Sequence, residues 1–200
     1  LQCPHRNIKC LFFMGGKVPE EELSDSIGLD VPDTYDTLPE KVLHFFSYAM
    51  EHYDFDWLFK CDDDTYLDLS RLSELADSAY GIIGDEMLRR RNAPSGGAGY
   101  LLHRKIIEKI LSLEKLPKRG AEDLVIGKLA LQVGAIPLIS HRLYHSNDKC
   151  LSAENDRITA HWCSPALLKV MHRLRHNFPN ASYTGIHKNW EDEILFYESG

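Results

Sequence analysis

Trp57-Leu58-Phe59-Lys60-Cys61-Asp62-Asp63-Asp64 is the stretch whose reading decides the fold. Its first five residues form an apolar run, set off upstream by polar Asp54 and Asp56, and read as a buried strand. The three acids concentrate negative charge at that strand's carboxyl end, the edge where open α/β sheets bind their ligands. Adjacent carboxylates repel one another unless a cation sits among them. In an extended chain, Asp62 and Asp64 share a face roughly 7 Å apart and Asp63 points away. One acid of such a pair suits a metal and the other a ligand hydroxyl. A solvated acidic turn capping the next helix is the plainer reading; the apolar strand ahead of it weighs toward a site.

Working outward, strands and helices alternate. Ile8 to Met14 is a short apolar strand stopped by Gly15-Gly16, and residues 17–36 read as loop. Thr37-Leu38-Pro39-Glu40 is a capping box with proline in the first turn. It opens a helix carrying Val42, Phe45, Phe46, Ala49, Met50 and Tyr53 on one side. A helix is expected near Ser70 to Ala79, a strand at Gly81 to Gly84, and a flexible loop at Pro94-Ser95-Gly96-Gly97-Ala98-Gly99 leading into Tyr100-Leu101-Leu102. Helices follow from about His103 to Leu113 and from Ala121 to Val133, stopped by Gly134. Ile158 to Trp162 reads as a strand, and Ser164-Pro165 as N-cap and first turn of the last clear helix. The alternation predicts an α/β sandwich with a mostly parallel sheet, in a single domain over residues 1–200. Residues 182–200, with Trp190, Phe196 and Tyr197 among acids, form a tail of unclear role.

Two hundred residues suffice for one domain with a proper core. With 44% hydrophobic and 26% charged residues, the chain is globular rather than disordered. A formal charge of −7 argues against a nucleic-acid groove and a bare anionic membrane surface. No apolar run approaches the roughly 20 residues of a membrane span; membrane association would come through a segment outside this chain. The five cysteines (Cys3, Cys10, Cys61, Cys150, Cys163) show neither CxxC nor zinc-finger spacing. Cys61 reads as a small core hydrophobe; Cys3 with Cys10, or Cys150 with Cys163, are pairings that spacing leaves open. Asn180-Ala181-Ser182 is a glycosylation sequon.

A second acidic site is Glu122-Asp123, in the first turn of its helix, where the dipole favours ionised forms. Acids there commonly only cap; the functional alternative makes one a general base. Of ten histidines, His161 differs by lying inside an apolar strand before Trp162. An imidazole joined to carboxylates suits manganese, or magnesium in an oxygen-rich site. A packed core histidine is the plainer reading, and His145 in Leu143-Tyr144-His145-Ser146 is the competing ligand.

The order of these motifs resembles a known family. Asp33-Thr34-Tyr35 … Leu38-Pro39-Glu40-Lys41, Phe59-Lys60-Cys61-Asp62-Asp63-Asp64-Thr65-Tyr66, Ser95-Gly96-Gly97-Ala98-Gly99-Tyr100, Glu122-Asp123-Leu124-Val125-Ile126-Gly127 and Ala160-His161 with Ser164-Pro165 are similar, in sequence and order, to the β1,3-glycosyltransferases. This is the galactosyltransferase family that includes Fringe-like enzymes. The resemblance runs from about Val31 to Arg173. It implies a GT-A fold, a UDP-sugar donor, a glycan or glycoconjugate acceptor, a manganese or magnesium ion and inversion at the anomeric carbon. Asp62-Asp63-Asp64 matches the DxD-type motif, with Asp64 on the metal and Asp62 on the donor's ribose or sugar; Asp63 and Glu122 fall with the donor-binding motifs. Asp123 matches the catalytic base. His161 matches the metal-ligand histidine, and His145 falls where the Fringe-like branch has Phe-His-Ser. Gly96 and Gly97 would lie against a sugar, and Lys41 matches a helix lysine that steadies the acids.

The chain departs from the family in a short amino-terminal part and in Leu38-Pro39-Glu40-Lys41 where Asn-Leu-Thr is usual. A catalytically silent sugar-nucleotide- or glycan-binding relative is the alternative function. A metal-dependent phosphate-transfer enzyme would need a P-loop, and no GxxxxGK[ST] occurs. The compartment stays open: a Golgi or secretory lumen for a eukaryotic source, cytoplasm for a bacterial one.

Overall fold

The computed structural model describes residues 8–17, 25–147, 156–177, 183–188 and 194–198. Apolar residues near the amino end pair first: β1 (Phe12–Gly15) lies parallel to β2 (Ser26–Leu29). β2 falls inside the span expected to be loop, because four residues around a glycine carry too little periodicity to announce a strand. A 3-10 turn, Tyr35–Thr37, leads into α1 (Leu38–His52). The capping box sits one turn earlier than expected. Thr34 and Thr37 cap each other reciprocally, and the Thr37 hydroxyl donates to Pro32 O at 2.7 Å. Pro39 occupies the first turn of α1 as expected, and Val42, Leu43, Phe45, Phe46 and Ala49 are buried.

β3 (Trp57–Lys60) is the expected apolar strand, and β4 (Tyr66–Leu67) follows it. The helix expected from Ser70 to Ala79 shrinks to α2 (Leu69–Leu72) and a 3-10 turn at Ser73–Leu75. Asp77 explains the early stop: its carboxylate accepts from Ala79 N at 3.0 Å and its carbonyl from Tyr80 N at 3.0 Å, a local turn that competes with helix. β5 (Ile82–Gly84), α3 (Met87–Arg91), β6 (Tyr100–His103), α4 (Arg104–Leu111), α5 (Glu122–Gln132), β7 (Pro137–Ile139), β8 (Thr159–Ala160) and α6 (Pro165–Asn177) complete the main body. β9 (Tyr183–Lys188) and β10 (Ile194–Glu198) form an antiparallel pair in the expected tail. Gly134, at φ +88, closes α5 as expected. The Ser164 hydroxyl caps α6, accepting from Leu167 N at 3.2 Å.

The α/β class holds, but the sheet is mixed rather than mostly parallel. The four-stranded sheet runs β3-β6-β5-β7, with β6 antiparallel to both neighbours and β5 parallel to β7. The chain turns back from β5 through the short α3 and residues 92–99, so β6 returns beside β5. Period-2 alternation sorts the two faces. Leu58, Ile82, Tyr100 and Leu102 join α1, α4 and α5 in one apolar cluster. Ile83 and Leu101 face a second cluster with Leu72, Leu75, Leu143 and Ile158. A third, smaller cluster joins Tyr66 of β4, Ala160 of β8 and Cys163 to Leu167 and Met171 of α6. The loop expected to be flexible is instead buried from Pro94 to Gly99, and its backbone is the floor of the site described below. Among the described residues, no helix is long and apolar enough to cross a membrane. Cys3, Cys150, the Asn180 sequon and Trp190 lie outside the described residues.

Phe46, fully buried on α1 and packed into the larger cluster, tests this core. Phe46→Ala is expected to cost about 3–5 kcal/mol. Thermal denaturation should show a melting temperature lower by roughly 6–20 °C; an unchanged one would mean that α1 does not carry the core.

Candidate active site

Past β3 the chain is not extended, as the alternation argument assumed. It turns, with Thr65 N donating to Asp62 O at 3.2 Å. The turn still puts Asp62 and Asp64 on one side and leaves Asp63 exposed. The third member arrives from about a hundred residues away. β4 pairs with β8, Tyr66 opposite Ala160, and Cys163 N donates to Asp64 O at 2.8 Å, so His161 is set beside the acids. His161 Nε2 lies 3.2 Å from Asp64 Oδ1 and 3.8 Å from Asp62 Oδ2, and one ligand atom from each residue falls within 4.8 Å of the others. Asp64 Oδ1 is buried and accepts no hydrogen bond. A buried anionic oxygen left in that state is costly unless a cation meets it, and two carboxylates with one imidazole form a donor set that fits manganese or magnesium. Gly97 closes the site from beneath: a Cβ there would overlap the His161 ring. The Thr65 hydroxyl fixes this glycine by donating to Gly97 O at 2.6 Å.

Behind the acids lies a buried charge network. Lys60 and Tyr100 are register partners across β3 and β6, so their side chains leave the sheet together. The Lys60 ammonium donates to Asp62 Oδ1 at 2.6 Å, Glu122 Oε2 at 3.2 Å and Gly96 O at 3.3 Å. The Tyr100 hydroxyl donates to the other Glu122 oxygen. Burial alone would discharge the lysine, but the Glu122 and Asp62 carboxylates together hold its pKa above the usual lysine value. Burial raises Glu122 against the pull of Lys60 and Tyr100. Glu122, expected at the donor, thus stands behind the site as an anchor, its side chain 3% exposed.

Asp123, one residue on, is 19% exposed at its side chain. Arg91 of α3 donates to its Oδ2, and Leu124 N to its Oδ1 at 2.7 Å; the same guanidinium donates to Pro94 O at 2.9 Å. Gly96 approaches both acids of this pair, where an added Cβ would press on Glu122 and Asp123. Lys41 reaches Asp33 at 2.6 Å rather than the aspartates it was expected to steady, and that contact lowers the Asp33 pKa. His145 does not join the metal set. Its Nδ1 lies 3.2 Å from Asp85 Oδ2. Asp85 is fully buried at the end of β5 and accepts from Ser95 N at 2.9 Å; burial raises its pKa. A small cavity of about 110 Å³ opens beside His145, away from the aspartate cluster, lined by Glu86, His141, Tyr144 and Arg157. Cys61, expected to be a core hydrophobe, is only partly buried and joins none of the apolar clusters, though desolvation pushes its thiol up to about 12.

Sequence reasoning therefore assembled the Asp62–Asp64–His161 set and the glycine floor. It missed Lys60, Tyr100, Arg91 and Asp85 as the groups that hold them. Lys60 carried a signal, since a charged residue inside a buried strand needs a partner; Arg91 and Asp85 carried none.

Two measurements test the supports. Lys60→Met leaves Glu122 buried without its cation and is expected to cost about 3–5 kcal/mol in urea unfolding. Adding Glu122→Gln should recover part of that loss; no recovery would mean that the two are uncoupled. For Asp85, a folded pKa raised above the unfolded one gives stability that is full below the unfolded value and lost as pH rises through the folded one. Wild type should therefore lose ground to Asp85→Asn as pH climbs from about 4. A pH-independent gap between the two would refute the raised pKa.

A family model described as Galactosyltransferase matches residues 16–87. The chain is 47% identical to the UDP-GalNAc:beta-1,3-N-acetylgalactosaminyltransferase 2 of Mus musculus over 45 residues, 22% of this chain and 9% of that protein. It is 28% identical to the Glycoprotein-N-acetylgalactosamine 3-beta-galactosyltransferase 1 of Xenopus laevis over 144 residues, 66% of this chain and 39% of that one. The chain thus spans well under half the length of these relatives. A solved glycosyltransferase involved in glycosylation of the major capsid of PBCV-1 is similar with a TM-score of 0.45 and 13% identity, over 84% of this chain and all of that one; so loose a likeness decides nothing about the site. The family match and the two relatives, with the order of motifs along the chain, make the chain similar to the β1,3-galactosyltransferase-like family.

Proposed function

We propose that this chain is an inverting, divalent-metal-dependent glycosyltransferase. It moves a hexose or N-acetylhexosamine from a UDP-sugar to a hydroxyl of a glycan or glycoconjugate, forming a β1,3 linkage. The observation that carries this reading is the convergence of Asp62, Asp64 and His161 within 4.8 Å, with Asp64 Oδ1 buried and unsatisfied. These three would hold manganese or magnesium. When bound, the ion would neutralise charge growing on the departing diphosphate. Lys60 fixes Asp62 by one oxygen and leaves the other facing His161, which pre-sets the ligand geometry.

The acceptor hydroxyl is a weak nucleophile and needs a base as it attacks. Asp123 is the carboxylate for that role, because its side chain is 19% exposed, whereas Glu122 beside it is buried on Lys60 and Tyr100. In the reaction the acceptor oxygen bonds to the anomeric carbon and its proton passes to Asp123. The bond from that carbon to the diphosphate breaks, and UDP leaves from the opposite face of the ring. The absence of side chains at Gly96 and Gly97 lets Glu122, Asp123 and the His161 ring close onto the loop that floors the site. The transfers to a 3-position named for the mouse and frog relatives support the linkage, and the UDP-GalNAc in the mouse relative's name supports the class of donor. One observation favours the silent-relative alternative: Arg91 holds Asp123 in an ion pair, which an active base must leave when acceptor binds.

Calorimetric titration with UDP, with and without manganese, tests the reading. Wild type should bind UDP only with the ion, and Asp64→Ala should lose that dependence; manganese-independent binding in both would refute the ligand role. Asp123→Asn should bind UDP as wild type does but transfer sugar about a hundredfold more slowly or worse. A near-normal rate would remove Asp123 as base, and absence of transfer by wild type to any glycan acceptor would favour the silent relative.

A further inference from the structure

Trp162 stands out among the described residues by its backbone. Its φ of +62° lies in the left-handed region; among the described residues only Asn92 shares that among non-glycines. Asn92 sits at the carboxyl cap of α3, where asparagine is common. A bulky aromatic at such φ is strained. Trp162 also forgoes burial: it is 63% exposed, while Ala160 and Cys163 around it fill the small cluster under α6. The strained backbone is clamped. The Asn147 side-chain amide donates to Trp162 O, Cys163 N donates to Asp64 O at 2.8 Å, and Cys163 Sγ to Ala160 O at 3.3 Å. The Cys163 Sγ bond ties the two flanks of the tryptophan to each other, and the Cys163 N bond ties the segment to the acid turn. Strain upheld in this way by its surroundings, next to a candidate ligand, is the pattern found at functional sites.

Geometry says what the ring can touch. The indole lies 5.1 Å from the His161 ring, tilted by 34°. Exposure rises from buried Gly97, through the His161 side chain at 12%, to Trp162 at 63%. Gly97 is the floor of the site and Trp162 its rim. Under the glycosyltransferase reading, on which this inference rests, the donor sugar lies inward, between the acid cluster and Asp123. The ring at the rim is left to what arrives from solvent. We propose that the Trp162 indole is the platform on which a pyranose ring of the acceptor lies. A pyranose offers one apolar C–H face, and a flat indole matches it with little rotamer entropy lost. The hydroxyl edges stay in water or turn toward the site.

Two substitutions separate binding from structure. Trp162→Gly removes the ring and relieves the left-handed backbone; Trp162→Phe keeps a flat ring at the same φ. Each is compared with wild type by thermal melting, by calorimetry with manganese plus UDP or a UDP-sugar, and by titration of the manganese–UDP complex with methyl glycosides of galactose, N-acetylgalactosamine and N-acetylglucosamine. Trp162→Gly should melt at or above the wild-type temperature and bind UDP and UDP-sugar unchanged. It should bind the preferred glycoside at least about tenfold more weakly, with Trp162→Phe retaining most of the affinity. Unchanged glycoside affinity in Trp162→Gly, with UDP binding intact, would overturn the platform and leave the transferase reading standing. Loss confined to UDP-sugar relative to UDP would assign the ring to the donor and overturn the acceptor assignment. A lowered melting temperature with all binding lost would overturn it in favour of a structural role. Glycoside binding that depends on Trp162 in a protein that does not bind UDP would keep the platform and defeat the transferase reading.

Discussion

One buried ammonium organises this site. Lys60 is 5% exposed, and a lysine there is costly unless its donors are matched. It is matched by three segments at once: Asp62 from the end of β3, Gly96 from the loop before β6, and Glu122 from the start of α5. Each belongs to a different motif. Because the penalty for leaving the charge unpaired is large, those segments cannot drift apart without exposing it. The acidic turn, the glycine floor and the acids of α5 are therefore held in register by one side chain. Tyr100, opposite Lys60 in the sheet, completes the arrangement by satisfying the second Glu122 oxygen.

That arrangement divides adjacent acids into unlike roles. Glu122 points inward and is consumed by Lys60 and Tyr100, while Asp123, a third of a turn along α5, keeps partial exposure and a single guanidinium partner. Asp62 and Asp64 differ in the same way: Asp62 is half tied to Lys60, and Asp64 presents a buried oxygen with only an imidazole near it. The division of labour follows from which neighbour each carboxylate meets, since the residue types are nearly identical.

This is also why part of the site was legible in the sequence and part was not. An apolar strand ending in acids, a helix opening on two acids and a histidine in a late strand are local patterns, and they put Asp62, Asp64, Asp123 and His161 on the page. Glycines at 96 and 97 announced a close approach, though not that the loop would be buried. The partners that complete these residues come from contacts over long sequence separations, which no local period encodes. Arg91 meets Asp123 across 32 residues and Lys60 meets Glu122 across 62. The mixed sheet escaped for the same reason: alternation of strands and helices says that they alternate, and not on which side of a strand the chain returns. Lys41 and His145 were drawn to Asp33 and Asp85, carboxylates to which the sequence had assigned no role in the site.

The chemistry depends on one of the shortest pairings among the described strands. His161 is delivered by β8, two residues long, paired with an equally short β4, and so short a ladder is marginal alone. What holds it is the packing of Tyr66 and Ala160 on Cys163, Leu167 and Met171, and the bond from Cys163 N to the carbonyl of Asp64 itself. The acid turn and the imidazole are thus linked by backbone as well as by side chain. Any cation that bridges Asp64 and His161 would bind the docked arrangement and not the separated one, and by linkage would stabilise the docking of β8 and α6. Ligand binding and the docking of β8 and α6 against β4 become two readings of one equilibrium, because His161 reaches the site only when β8 is in place.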